Sequence, residues 1–166
     1  MPTPLLKQLQ GIPMCEGLSP ANIEELIAIA EEKTVNQGSI LFREGEQGDV
    51  LIVVLDGKVE VSKRDAILAT LEKGSVLGEM SLLGGDTRSA TAIAATEVRY
   101  LAIPNGPFQQ LLGKDNLAAL KVVRNLAQVM SKRLALINEK LVDSLGQAKK
   151  KEELADFGRI LNRWSF

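Results

Sequence analysis

Gly78-Glu79-Met80-Ser81-Leu82-Leu83-Gly84-Gly85-Asp86-Thr87-Arg88-Ser89-Ala90-Thr91 sets a glycine-flanked carboxylate nine residues ahead of an arginine that small residues follow. A planar guanidinium donates to an oxyanion such as phosphate in a fork, which a lysine ammonium cannot match. Gly78 carries no side chain and lets backbone come close to a ligand. Ser89 and Ala90 are small enough to leave their N–H groups open to the same anion, as in backbone nests. Gly78 to Leu83 suits one short helical turn whose leading N–H groups face an anion. Glu79 cannot usefully face a phosphate, because like charges repel, but it can accept a hydrogen bond from a hydroxyl. On these two residues alone a solvated loop is the ordinary reading, so the flanking sequence decides.

Upstream, Glu44-Gly45-Glu46-Gln47-Gly48-Asp49 leads into Leu51-Ile52-Val53-Val54-Leu55-Asp56-Gly57-Lys58-Val59-Glu60-Val61, and Ala92 to Pro104 follows downstream. Together with the glycine-rich stretch these segments resemble the cyclic nucleotide-binding domain family, which includes the catabolite activator and cAMP-dependent kinase regulatory subunits. The resemblance covers roughly residues 18–145 in the family's order, with 77–91 matching the phosphate-binding cassette. It implies an α+β, mainly β fold: a β-roll of jelly-roll type with a short N-terminal helix, a cassette helix and long C-terminal helices. It also implies a sensor rather than an enzyme, of a bacterial stand-alone kind.

By that resemblance Arg88 holds the cyclic phosphate, Glu79 accepts from the ribose 2′-OH, and Gly78, Met80, Ser81, Ser89 and Ala90 complete the cradle. Val61, Leu68 and Leu77 fall where the family lines ribose and base with apolar wall. Asp49 stands where kinase-type domains pair an aspartate with the cassette arginine, and is expected to orient Arg88. Threonine after that arginine favours guanine in eukaryotic kinases, alanine suits cAMP, and serine occurs in bacterial cAMP-sensing activators. Ser89 therefore leans toward cAMP over cGMP. Lys132 to Lys140 is similar to the activator helix that caps adenine with two hydroxyl residues, but Ile137 and Asn138 stand there instead. Ile137 offers only apolar contact, whereas Asn138 carries donors and an acceptor able to read either purine edge.

The rest of the chain sets the frame. Its 166 residues fit one domain with a sizeable core, at 45% hydrophobic and 25% charged residues. A net charge of −1 gives no global pull toward nucleic acid or anionic membrane, so neither direct DNA binding nor membrane association is expected. Met1-Pro2-Thr3-Pro4 does not open a signal peptide, and the lone Cys15 suits a reducing compartment, so a cytoplasmic location is expected. The sequence has no histidine, which excludes Ser-His-Asp triads, Cys-His dyads and histidine-ligated metals; no cofactor is expected beyond the cAMP or cGMP ligand.

Ser19-Pro20 reads as an N-cap followed by proline at the first helical position, and Ile23, Leu26, Ile27 and Ala30 extend a helix to about Glu32. Residues 1–33 thus form a helical segment and 34–104 the β-roll, whose short β-rich runs are divided by Gly and Asp. Lys63-Arg64-Asp65-Ala66 is a tight hairpin turn. Residues 105–145 are helical, with a long helix from about Asn116 to Leu145, and 146–166 form a helical tail. On the long helix Leu120, Val123, Ala127, Met130, Leu134, Ile137, Leu141 and Leu145 make one apolar row; Val122, Leu126, Val129 and Leu136 make another. Two rows suggest burial on two sides, and the resemblance favours a homodimer through residues 116–145. About twenty residues follow that helix, too few for a winged-helix DNA reader, so an unidentified effector protein is expected to read the signal. The competing readings are a ligand-free interaction scaffold on the same fold and a transcription regulator acting with a separate DNA-binding partner.

Overall fold

The computed structural model describes residues 3–84, 87–147, 156 and 158–160. They divide into two compact units, Met1–Leu126 and Ala127–Phe166.

In the first unit, α1 (Pro4–Gln10), a 3-10 turn (Pro13–Cys15) and α2 (Pro20–Ala28) precede the strands. Ser19 caps α2 by accepting from the Asn22 backbone N–H while the Asn22 side chain accepts from the Ser19 N–H, with Pro20 at the first helical position. The helix stops at Ala28, short of the expected Glu32. Glu31–Val35 instead forms β1, pairing antiparallel with the edge of β8 from Glu31 opposite Ala102 to Val35 opposite Val98. The charged run gains strand hydrogen bonds there, and Glu32 meets Arg99 at 2.6 Å across the pair.

The remaining strands are β2 (Ile40–Phe42), β3 (Val50–Asp56), β4 (Val59–Lys63), β5 (Ala66–Leu71), β6 (Val76–Leu77), β7 (Thr91–Ala94) and β8 (Val98–Pro104). They build two four-stranded antiparallel sheets, ordered β1-β8-β3-β6 and β2-β7-β4-β5. The unbroken apolar run of β3 is explained by burial on both faces. Leu51, Val53 and Leu55 join an outer core with Leu6, Leu9, Ile23, Leu26, Phe108, Val122 and Leu126, under the helices. Ile52 and Val54 join an inner core with Phe42, Val59, Leu77, Ala92, Val98 and Tyr100. Residues alternate between the two cores along the strand, as its pleat requires.

The Arg64-Asp65 hairpin holds two non-glycine residues in the left-handed region, at φ 48° and 65°. A two-residue turn of this kind prefers Asn-Gly, because Cβ groups crowd the backbone at positive φ. The Glu44 carboxylate restrains it by accepting from the Arg64 N–H at 3.2 Å. Arg64→Asn with Asp65→Gly should therefore raise stability by about 0.5–1 kcal/mol, read as a higher urea midpoint at unchanged m. An unchanged midpoint would show that the turn stores no strain.

After the strands, α3 (Glu79–Leu82) belongs to the cassette, α4 (Asn105–Gly113) follows β8, and α5 (Leu117–Gln147) runs 31 residues into the second unit. Within the first unit, Asn125 is buried and donates to the carbonyls of Met14 and Glu16, which ties α5 to the 3-10 turn. Cys15 lies under this junction, where burial pushes its thiol up to about 11. The thiol is therefore neutral and unreactive at physiological pH. In the second unit Leu134, Leu136, Ile137 and Val142 are all more than half exposed. Most of the expected tail, 146–166, lies outside the described residues. No helix among the described residues is long and apolar enough to cross a membrane.

Candidate functional site

The site starts where β6 ends. Gly78 takes φ +80°, a conformation that costs other residues strain, and turns the chain from Leu77 into α3. A Cβ at Gly78 would collide with Arg88 Nη1 and lie 2.8 Å from the Val50 carbonyl oxygen. This glycine is therefore required twice, for its backbone conformation and for the room it gives the guanidinium. No side chain caps the first turn of α3.

Arg88 is anchored by its backbone. Its N–H donates to Glu46 O at 2.8 Å and its carbonyl accepts from the Gly45 N–H at 2.9 Å, while Gln47 and Thr87 form a bridge alongside. The loop between β2 and β3 is itself held by the Glu46 carboxylate, which accepts from the Arg43 N–H at 3.0 Å. The Arg88 side chain is 6% exposed. Its Nη2 donates to Val50 O at 2.8 Å and its Nη1 reaches Ser81 Oγ at 3.5 Å, whereas Nε is buried with no hydrogen-bond partner. Burial pulls the Arg88 pKa below arginine's ordinary value, opposed by the charges of Asp49, Glu46 and Glu79. An arginine remains protonated under such shifts, so the site holds a buried, under-paired cation.

The structure brings several of the expected residues together here. Gly78, Ser81 and Arg88 are in mutual reach, with Ser81 buried and its hydroxyl toward the guanidinium. Glu79 is half-buried at the first position of α3, next to the exposed Met80. Ser89 is exposed and Ala90 buried. On the proposed wall, Leu77 is buried within the inner core, Val61 packs against that core half-buried, and Leu68 on β5 is 60% exposed. Asp49 is exposed and acts on Arg88 as a charge, while its backbone carbonyl accepts from the Asn105 N–H at 2.7 Å. Ile137 and Asn138 belong to the second unit, where Ile137 is exposed and Asn138 half-buried.

Other participants had no distinct signature in the sequence. The Val50 carbonyl takes the closest guanidinium bond, and a backbone acceptor leaves no trace in residue type. Gly48 sits where a Cβ would run into the Ser81 hydroxyl, a role that the spacing of Gly45 and Gly48 hints at. Asn105 Nδ2 donates to Ser81 O at 3.4 Å and Gln109 Nε2 to Leu82 O at 2.8 Å, so α4 holds the trailing carbonyls of α3. Phe42 lies beneath Arg88, with Cζ 4.3 Å from the ring centroid.

Comparison with known proteins gives the same reading. A sequence profile of the cyclic nucleotide-binding domain matches residues 32–115. The chain is 30% identical over 131 residues to the cyclic AMP receptor protein of Thermus thermophilus, covering 76% of this chain and 59% of that one. It is 36% identical over 101 residues to a cyclic nucleotide-gated potassium channel of Mesorhizobium japonicum, covering 61% of this chain and 28% of the channel. The chain thus spans less than two thirds of either relative. Among solved structures, the N-terminal domain of a transcriptional regulator from Streptomyces coelicolor superposes with a TM-score of 0.65 at 34% identity, over 76% of this chain and 94% of that one. The expected fold class is the observed one: two antiparallel sheets, a cassette helix between β6 and β7, and a long C-terminal helix. With the profile covering half the chain, from β1 through the buried arginine to α4, the protein belongs to the cyclic nucleotide-binding domain family.

Proposed function

We propose that the chain is a sensor that binds cAMP in preference to cGMP and relays binding through its C-terminal helices to a partner protein. The observation that carries this reading is the state of Arg88. A guanidinium this buried normally has its donors satisfied, since leaving a buried charge under-paired is costly. Here Nε has no partner and Nη1 only a long one. A cyclic phosphate, a compact monoanion with two exocyclic oxygens, supplies the missing acceptors in a fork. Glu79, nine residues earlier on the same cassette, takes the ribose 2′-OH. Ser89 supports the preference for cAMP, and Val61, Leu68 and Leu77 support an apolar wall for ribose and base.

Binding draws the cassette against the roll, and α4 follows because Asn105 and Gln109 hold the end of α3. The ligand shifts the equilibrium by its higher affinity for the closed state. The exposed Leu134 and Leu136 of α5 support a homodimer through residues 116–145. Base contact by Ile137 and Asn138 and the orienting of Arg88 by Asp49 rest on the family resemblance alone. The effector is a separate protein; DNA and membrane are not contacted, no reaction is catalysed, and the location is cytoplasmic. Residues 1–30 give helical support, 31–104 form the receptor roll now that β1 belongs to it, 105–145 act as the relay and 146–166 as a tail.

The test is a comparison of cAMP with 2′-deoxy-cAMP. The parent chain should lose about one decade of affinity for the deoxy ligand, the size of one hydrogen bond to a charged acceptor. Glu79→Ala should lose about the same for cAMP and then no longer distinguish the two ligands. Equal affinities of the parent for both would remove Glu79 from the ribose, and failure to bind either would end the reading.

A further inference from the structure

Phe42 closes β2, and its ring carries the Arg88 guanidinium on its face, 4.3 Å from Cζ to centroid. That is well inside the roughly 6 Å range over which a cation is attracted by a ring face. The ring is 9% exposed and belongs to the inner core with Ile52, Val54 and Tyr100. Its strand position is fixed opposite Ala92 on β7. The ring is therefore a fixed platform.

A guanidinium has two kinds of surface: two faces and a rim of N–H donors. A carboxylate hydrogen-bonded to the rim would use up the donors that an incoming phosphate needs. A ring on the face stabilises the buried cation through its negative quadrupole and leaves the rim open. The Arg88 rim matches this arrangement, with one close bond to Val50 O, a long one to Ser81 Oγ and an unpartnered Nε. We infer that Phe42 is a positioning residue of the anion site: its ring face fixes the plane of the Arg88 guanidinium and offsets its desolvation, so that the rim is presented to the cyclic phosphate. The inference takes its ligand from the proposed function and its mechanism from the ring–guanidinium geometry.

The test replaces Phe42 by 4-fluoro-, 3,5-difluoro- and 3,4,5-trifluorophenylalanine, which keep the ring's shape while draining its negative face. Affinity for cAMP should fall stepwise, to about tenfold weaker with three fluorines. The same series in Arg88→Ala should change the residual affinity by less than about twofold. A flat series in a parent that binds cAMP would overturn the platform and leave the nucleotide reading standing. A parent that binds neither cAMP nor cGMP would instead sink the nucleotide reading. The Arg88 Nε–H resonance of the ligand-free protein would then decide the platform. A ring-current displacement that disappears in Phe42→Leu would uphold it for another anion, and an undisplaced resonance would overturn it.

Discussion

Arg88→Ala should weaken cAMP binding by at least about two decades. Hydrogen bonds to charged groups contribute about 1.5–3 kcal/mol each, and a forked phosphate contact removes two, against about 1.4 kcal/mol per decade. Loss of affinity alone would not separate a ligand role from a structural one, so the ligand-free stability matters. The guanidinium is buried with Nε unpartnered, and its burial is opposed by solvation. Arg88→Met, which fills similar volume without charge, should leave the ligand-free unfolding midpoint equal to the parent's or higher. The parent should gain about 2.7 kcal/mol at a ligand concentration 100 times its Kd, and neither variant should gain more than about 0.4 kcal/mol at that concentration. A variant that lost stability without ligand yet kept its ligand-induced gain would make Arg88 a structural residue.

Gly78→Ala is the second large effect, and it acts through the backbone. The residue stands at φ +80°, and the added methyl would meet both the Val50 carbonyl oxygen and the guanidinium tip. The arginine can move, but only by giving up its bond to Val50 and the plane it holds over Phe42. Stability should fall by about 1–3 kcal/mol, and cAMP affinity by about tenfold or more. Gly74→Ala is the matched control, because Gly74 has φ +87° with open space where its Cβ would go. It should cost about 1 kcal/mol of stability and leave affinity as it was. Equal affinity losses in the two variants would mean that strain anywhere near the roll, rather than crowding at Arg88, sets binding.

The parts of this fold that sequence revealed are those whose cause is local. The run Val50 to Leu55 reads as a strand and Ser19-Pro20 as a helix start; both are where the residues put them, while the burial of the strand on both faces appears only in the fold. Glu31-Glu32-Lys33 misleads because its side chains are compatible with a solvated helix, and only pairing with β8 makes it a strand. The helical segment read from residue 105 does open there as α4, but nothing in the sequence tells that Asn105 reaches back to Ser81 O. The spacing of Glu79 and Arg88 was legible because both lie on one short segment. Phe42 was not, since its place under Arg88 depends on the register of β2 with β7, which shifts between Ile40 and Phe42. Nor was Val50, whose contribution is a carbonyl that any residue would supply.

The most direct test of the central claim is a calorimetric titration of the folded, nucleotide-free chain with cAMP and with cGMP, run beside Arg88→Ala. Saturable binding of cAMP, weaker binding of cGMP, and loss of both in the variant is the result expected of a cAMP sensor built on Arg88. Binding of neither nucleotide by the parent, or equal binding by parent and variant, would contradict it.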